Sequence, residues 1–190
     1  MRIASLLPST TEIVCSLCLK DSLVAITHEC DYPLEVQNID QVTKNAFDDI
    51  GKSSAEIDRH IRAAVHQGSS LYTLDQEALK RLRPELILTQ ELCKVCAVSY
   101  EQVSATITLI DSNVTVVSLE PTTLQQIFDS IVQVGRLTDR EEVAVSLVRD
   151  LTKRVSQIQE AATSAGLRPR VLCLEWLDPP MVAGHWVPDM

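Results

Sequence analysis

The sequence predicts an α/β fold in which a mostly parallel sheet is flanked by helices. Over residues 1–137, short apolar runs alternate with amphipathic stretches that begin with turn or capping residues. This alternation favours a parallel sheet covered on both faces, because each crossover helix packs against the sheet. Over residues 138–166, apolar residues recur at every third or fourth position with no breaker before Gly166. That second pattern predicts one long helix.

The predicted elements follow one another in a regular order. Strands are predicted at residues 2–6, 23–27, 86–88, 114–119 and 170–174. Helices are predicted at residues 8–19, 53–66, 75–82 and 99–109, and from Thr122 or Thr123 to about Gly135. The long helix would extend roughly 40 Å at 1.5 Å per residue. Three segments result: an amino-terminal α/β lobe at 1–137, a long connecting helix at 138–166, and the start of a carboxyl-terminal lobe at 167–190.

Composition narrows the class of protein. The chain has 190 residues, of which 45% are hydrophobic, so it can bury a core. Its net charge of -9 argues against a nucleic-acid surface, which needs clustered Lys and Arg. No apolar run approaches the roughly 20 residues of a transmembrane helix. The sequence also lacks the glycine motifs of nucleotide-binding loops and of the hydrolase nucleophile elbow. An enzyme with a nucleophilic Cys activated by a His stays an alternative, because two such residues can be distant in sequence and meet in the fold.

The cysteine content and the amino-terminal residues indicate the cellular compartment in which the protein is located. Six cysteines without a recognisable signal peptide favour mostly free thiols and a cytoplasmic location as the sequence stands. Cys15 and Cys18 fall in the predicted first helix among core positions. There we expect them to pack as small hydrophobic residues rather than to bind a metal.

Polar and aromatic side chains concentrate just after the predicted strands. In an α/β protein, ligands bind beyond the carboxyl ends of the strands, so these residues are candidate ligand contacts. The candidates are Ser9, Thr10, His28, Glu29, Cys30, Asp31, Tyr32, Gln90, Glu91, Cys93, Cys96, Trp176, His185 and Trp186.

The Cys93 and Cys96 pair leaves three interpretations open: contact with a ligand, a metal or thiol-redox centre, and simple packing. A zinc site needs four ligands, and only His28 and Cys30 are plausible additions to the pair. A thioredoxin-like dithiol begins a helix, where the helix dipole lowers the thiol pKa, whereas Cys96 precedes the helix predicted from Ser99.

The chain resembles the iron-siderophore and cobalamin substrate-binding proteins of ABC importers. The resemblance lies in the opening segment 2–12, the Cys-Asp-Tyr-Pro loop at 30–33, the helix start at 51–58 and the long helix. Segments 89–98 and 176–188 are similar to a cobalamin-binding branch of that family. The family often has glycine near Cys18, and this sequence departs from it there.

The resemblance implies two α/β lobes joined by a rigid helix, with the ligand held in the cleft between them. It implies a non-enzymatic binding protein with no required cofactor, which captures a cobalamin-like corrinoid or another metal chelate for an ABC permease. An exposed acidic residue on each lobe docks on permease arginines in the family, and Glu56 matches that position in the amino-terminal lobe. The resemblance also implies a periplasmic or extracytoplasmic location, a monomer if the chain is complete, and a fragment or truncated product, because most of the second lobe is missing.

Overall fold

The structure is a computed structural model that describes residues 1–47, 49–67, 70–90, 103, 114–166 and 168–184. These residues form two compact units, 1–120 and 121–190, which are described separately. The sequence analysis places the first boundary later, after residue 137. The predicted helix at 99–109 lies outside the described residues except for the buried Val103.

A four-stranded parallel sheet forms the centre of the first unit. Its strands are β1 (Ile3–Ser5), β2 (Leu23–Ile26), β5 (Leu86–Thr89) and β6 (Thr115–Ser118), in the order β2-β1-β5-β6. All four residues of β5 are buried, and so are all three of β1. Strands with both faces covered read as continuous apolar runs, which explains why the sequence located them. The predicted α/β class with a parallel sheet is confirmed.

Among the described residues, three α-helices accompany this sheet: α1 (Pro8–Ser16), α2 (Ser54–His66) and α3 (Gln76–Leu82). The predicted capping box of α2 is confirmed, because Ser53 and Glu56 bond reciprocally through their side chains and backbone. Asp75 caps α3 by accepting a hydrogen bond from Ala78 N at 2.9 Å. No side chain caps α1, which instead starts with Pro8 in its first turn, where the missing N–H costs nothing.

Helix α1 ends three residues before its predicted end at residue 19. Cys18 lies beyond the helix with φ at 59° and an exposed side chain. The expectation that Cys18 packs in the core is therefore wrong. A left-handed backbone at the end of a helix favours glycine, which is the residue that the resembled family often has near this position.

A two-stranded antiparallel sheet, which the sequence analysis did not predict, adjoins the parallel sheet. It pairs β3 (Thr43–Asn45) with β4 (Tyr72–Leu74), and the chain between the two strands includes α2. Backbone bonds flank this β3–β4 pair at both ends, from Ala46 N to Leu71 O at 2.8 Å and from Asp75 N to Val42 O at 2.8 Å. Each strand has only three residues, which is too short for a period-two pattern to appear.

The second unit begins with two packed helices, α4 (Leu124–Leu137) and α5 (Glu141–Ala165). Thr123 caps α4 through Gln126 N, as predicted. The long helix is confirmed, but it starts after its predicted caps, Thr138 and Asp139. The Thr138 hydroxyl instead donates to the carbonyl of Val134 at 2.7 Å, so this residue closes α4 and does not open α5.

Gly135 allows α4 and α5 to approach closely. A Cβ added at Gly135 would lie 2.6 Å from the Cβ of Ala144 and 3.1 Å from the carbonyl oxygen of Arg140. Real Cβ atoms do not approach another carbon so closely, and Ala144 is fully buried. The contact between the two helices therefore depends on the missing side chain.

The described part of the second unit finishes with a β-hairpin of β7 (Leu174–Leu177) and β8 (Pro180–Val182). The strand predicted at 170–174 is wrong in position, because residues 170–173 are irregular and β7 starts only at Leu174. Six of the seven residues from Val171 to Leu177 are apolar, so the run does not define where strand pairing begins. None of the helices in the described ranges has the length and hydrophobicity needed to cross a membrane.

Candidate functional site

The carboxyl ends of the parallel strands form one edge of the sheet in the first unit. In the strand order, the chain passes from β1 to β2 on one side and from β5 to β6 on the other. Where neighbouring strands connect in opposite directions, a crevice opens at their carboxyl ends, and α/β proteins bind ligands there. The predicted residues Ser9, His28 and Gln90 follow strands that end on this edge, which is therefore the candidate site.

A chain of buried hydroxyl groups lies behind this edge. Ser5 Oγ is 2.6 Å from Thr10 Oγ1 and 2.7 Å from Thr11 Oγ1. Cys30 Sγ is 3.1 Å from Thr11 Oγ1, and Thr10 Oγ1 donates to the carbonyl of Leu7 at 3.1 Å. Each group has one proton to donate, so a consistent order runs from the Cys30 thiol through Thr11, Ser5 and Thr10 to that carbonyl. This hydroxyl chain connects the loop after β2 to the last residue of β1 and the first turn of α1.

Two of the predicted ligand contacts belong to the hydroxyl chain. Thr10 is 1% exposed and Cys30 is 4% exposed. Burial raises the pKa of the Cys30 thiol, so it stays protonated at neutral pH, as a donor to Thr11 must be. Both side chains lie beneath the surface, so a ligand would contact them only if the residues that cover them moved.

His28 starts the loop after β2, and both of its ring nitrogens have partners. Nδ1 lies 2.7 Å from Thr43 Oγ1, while Nε2 lies 3.1 Å from Asn45 Oδ1 and 3.1 Å from Glu29 Oε1. In a neutral ring, Nε2 carries the proton because both of its partners are acceptors. The centre of the His28 ring also lies 5.6 Å from that of Tyr72 on β4, so the loop after β2 contacts the β3–β4 pair. A metal ion would have to displace one of these partners to reach His28.

The exposed part of the edge combines one aromatic ring with several polar groups. Tyr32 is 62% exposed, and Ser9, Glu29 and Asp31 are exposed nearby in the chain or on the same edge. Gln90 is half-buried directly after β5. A flat ring offers a stacking surface, and the exposed oxygens of Ser9, Glu29 and Asp31 can take part in hydrogen bonds.

The remaining predicted contacts belong to the second unit or are outside the described residues. Trp176 is on β7 in the second unit, where its Nε1 donates to the carbonyl of Asp178 at 2.9 Å. Five predicted contacts lie outside the described residues: Glu91, Cys93, Cys96, His185 and Trp186.

The tentative metal set is only partly described. Of its four residues, Cys30 bonds to Thr11, whereas His28 bonds to Thr43 and Asn45 in a separate network. In the part of the chain that the structure describes, no three His, Cys, Asp or Glu side chains are grouped so that they could hold a metal ion. A site built on Cys93 and Cys96 stays a prediction.

Sequence reasoning missed the residues that support this edge. Thr11 and Thr43 each bond to a predicted contact, and Asn45 accepts from His28. Thr43 and Asn45 come from β3, whose position no periodic pattern indicates. For Thr11 a signal was present, since it follows Ser9 and Thr10 in a cluster of hydroxyl residues just after a strand.

Glu56 lies at the exposed start of α2. Its Oε2 accepts from Ser53 Oγ at 2.7 Å and from Ser53 N at 2.8 Å. The hydrogen bond from the Ser53 side chain, and then that from its backbone, lowers the pKa of Glu56, so the carboxylate stays charged at neutral pH. It lines a shallow surface groove with Lys52, Arg59 and His60.

Comparison with known proteins decides the family. The family described as "Periplasmic binding protein" matches residues 3–187, which is nearly the whole chain. The chain belongs to the periplasmic binding protein family. One relative is the uncharacterised ABC transporter substrate-binding lipoprotein YvrC of Bacillus subtilis, which is 25% identical over 162 residues. That alignment covers 85% of this chain and 41% of the relative.

Solved structures of periplasmic binding proteins share the fold. The vitamin B12 binding protein BtuF of Vibrio cholerae has a TM-score of 0.66 at 21% identity, covering 94% of this chain and 57% of that one. The heme-binding protein RhuT of Roseiflexus has a TM-score of 0.64 at 20% identity, covering 96% and 58%. The chain thus spans less than half of the curated relative and a little over half of these structures. The predicted resemblance to substrate-binding proteins of ABC importers is confirmed.

Proposed function

We propose that this chain acts in an ABC importer as a solute-binding, non-enzymatic protein for a cobalamin-like corrinoid or a related planar metal chelate. The observation that carries the proposal is the exposed ring of Tyr32 in the loop after β2, at the carboxyl edge of the sheet where Glu29, Asp31 and Ser9 are also exposed. Family membership supports the transport role, and the relatives named for vitamin B12 and heme support a tetrapyrrole-type ligand. The metal or thiol-redox alternative has no comparable observation in its favour.

We expect Tyr32→Ala to weaken binding of cobalamin or cobinamide about tenfold. A stacked aromatic ring contributes on the order of 1 kcal/mol beyond the area that it buries, and tenfold corresponds to about 1.4 kcal/mol. Titrations would follow the corrinoid absorption bands and, in a parallel series, those of haem. A corrinoid band shift would indicate that a protein group such as His28 reaches the cobalt.

Leu34→Ala is the matched control for Tyr32→Ala. Leu34 lies two residues further along and is 70% exposed, so its removal takes away comparable surface without a ring. It should leave the affinity unchanged. If neither corrinoids nor haem bind, the proposed ligand class fails; if only haem binds, the corrinoid assignment fails and the tetrapyrrole class stands.

The proposal places the protein outside the cytoplasmic membrane. The family is periplasmic by name, and the relative YvrC is a lipoprotein. The cytoplasmic expectation gains no support from these comparisons. We therefore propose the periplasm or an outer face of the membrane as the site of action.

Glu56 is proposed to dock on arginines of the permease. Its carboxylate is exposed and charged, and the capping box fixes its position at the start of α2. We expect Glu56→Gln to lower the association rate with a cognate permease several-fold, most strongly at low salt, because rim charges steer encounter. Surface plasmon resonance at two salt concentrations would measure this change.

The Gln substitution keeps the capping box, since Gln can replace Glu at this position. A change in association is therefore not a consequence of a lost cap. Glu142→Gln on α5 removes an equal charge from another exposed helix start and should have no effect. Equal rates for Glu56→Gln and Glu142→Gln would contradict the docking role.

A further inference from the structure

Two thiols lie on the same side of helix α1. Cys15 follows Thr11 by four residues, and both belong to α1. Residues four apart lie on one face of a helix, with about 5–6 Å between their Cβ atoms. Cys30 Sγ is 3.1 Å from Thr11 Oγ1, so Cys30 approaches the face of α1 that carries Cys15.

The direction of the Cys15 side chain brings the two thiols closer together. In an α-helix each Cα–Cβ bond is tilted towards the amino terminus, so a side chain covers the turn that precedes it. For Cys15, that turn contains Thr11, which Cys30 contacts. The pKa of the Cys15 thiol agrees with this placement, because burial raises it most, Lys20 lowers it, and Cys30 raises it further. The two sulfur atoms are thus close enough for the charge of one to affect the other.

Cys30 is held in position by the loop that carries it. Its backbone N–H donates to the carbonyl of Thr27 at 3.1 Å, which closes a turn directly after β2. Its side chain is buried, whereas that of Cys15 is half-buried. A reagent in solution therefore reaches Cys15 first, and Cys30 lies behind it.

Cys18 is the other neighbour of Cys15 in the chain, and the end of α1 directs it elsewhere. The N–H of Leu19 donates to the carbonyl of Val14 at 3.1 Å. The N–H of Cys18 donates to the carbonyl of Cys15 at 3.0 Å. These two bonds form a Schellman motif, with Cys18 as its left-handed residue. Cys18 is thus exposed beyond the carboxyl-terminal end of α1, whereas the Cys15 side chain leans towards the amino-terminal end.

We propose that Cys15 and Cys30 form a disulfide bond that links α1 to the loop after β2 when the protein meets an oxidant that itself carries a disulfide. Such an oxidant, for example oxidised glutathione, first exchanges with Cys15 and releases one glutathione thiol. Cys30 then attacks the sulfur of Cys15, which forms the protein disulfide and releases the second glutathione thiol. In total, two S–H bonds of the protein and one S–S bond of the oxidant break, and two protons and two electrons pass to the oxidant.

The disulfide would fasten the loop that carries His28 and Tyr32 of the candidate site. Its biological setting rests on the proposed location outside the cytoplasm, since disulfides form and persist in oxidising compartments. The experiments below use an added oxidant and no ligand. Their failure would leave the proposed transport function standing, and a failure to bind corrinoids or haem would leave the disulfide standing.

Peptide mapping of the oxidised chain identifies the bonded pair. The folded chain is incubated with oxidised glutathione at about pH 8, because only the ionised thiol attacks a disulfide. The remaining thiols are then alkylated, and the chain is cut with trypsin. Cleavage after Lys and Arg leaves Cys15 and Cys18 in peptide 3–20 and Cys30 in peptide 21–44. We expect the two peptides to be joined, and a reductant to separate them.

Two single substitutions assign the bond within the joined peptides. Cys15→Ala should abolish the link, whereas the matched control Cys18→Ala should keep it. Separate peptides in the original chain overturn the proposal. A link that survives Cys15→Ala overturns it as well, because that link would join Cys18 to Cys30. An unlinked peptide 3–20 that is two hydrogens lighter has the same consequence, since its bond would join Cys15 to Cys18.

Thermal unfolding gives an independent measurement. A disulfide stabilises a protein mainly by restraining the unfolded chain, so oxidation should raise the melting temperature by roughly 5–10 °C. Cys15→Ala should melt at the same temperature with and without the oxidant, whereas Cys18→Ala should keep the rise. A linked chain that melts no higher than the reduced chain overturns the proposal, because the fold would not accommodate the bond without strain.

Discussion

Gly135→Ala is expected to lower the free energy of unfolding of the second unit by about 2 kcal/mol. Overpacking a close contact costs typically 1–3 kcal/mol, and here the added Cβ would meet the Cβ of Ala144 at 2.6 Å. The usual gain of about 1 kcal/mol from replacing a helical glycine by alanine opposes this cost without cancelling it. Neither neighbour is a flexible side-chain end, since the second contact is the carbonyl oxygen of Arg140. Denaturant unfolding followed by circular dichroism would measure the change.

A compensating substitution controls for the intrinsic effect of alanine at this position. Ala144→Gly removes the Cβ that the new methyl group would strike, so the double variant should be more stable than the sum of the two single changes predicts. The expected coupling is about 1–2 kcal/mol, as for residues in direct contact. If the two effects simply add, or if Gly135→Ala stabilises the chain, the close packing of α4 on α5 is not what the missing side chain provides.

Thr11→Val is expected to destabilise the first unit by about 2 kcal/mol. Valine keeps the shape of the side chain but removes the hydroxyl that links Cys30 to Ser5. The buried thiol then has no acceptor there and Ser5 loses a donor, and leaving buried polar groups unsatisfied costs about 1–3 kcal/mol. Thermal and denaturant unfolding would report this loss.

Thr163→Val is the control for this substitution. Thr163 lies in a helix, is exposed, and donates to the carbonyl of Gln159 at 2.8 Å, so water can replace its bond. Its loss should change stability by less than about 0.5 kcal/mol. Equal effects of the two substitutions would mean that the hydroxyl chain does not support the fold.

Much of the fold followed from the sequence because long-range burial leaves a local pattern. The apolar run of β5 and the unbroken spacing of α5 are visible without any partner, and both were located. The antiparallel β3–β4 pair was not located, because its two strands are held by backbone bonds between residues far apart in the chain. The start of α5 was also misplaced, since the Thr138 side chain could cap the next helix or close the previous one, and only packing decides which.

The site was harder to predict than the fold. The sequence showed which residues follow the strands, but it could not show which side chains face inwards. Thr10 and Cys30 are buried in the hydroxyl chain, while Glu29 and Tyr32 remain exposed on the same edge. The bonds of His28 could not be predicted either, because its partners Thr43 and Asn45 lie on β3, a strand that the sequence did not reveal.

The hydroxyl chain separates the candidate site into a buried layer that supports the fold and an exposed layer that faces solvent. Its buried members bond to one another beneath the surface, whereas the exposed side chains of Asp31 and Tyr32 are not part of it and Glu29 contacts only the ring of His28 among the bonds described above. If this edge binds a ligand as proposed, substitutions of Asp31 and Tyr32 would change which molecule is recognised at little cost in stability. A protein built in this way can acquire a new ligand by surface mutation alone, while its inner layer stays untouched.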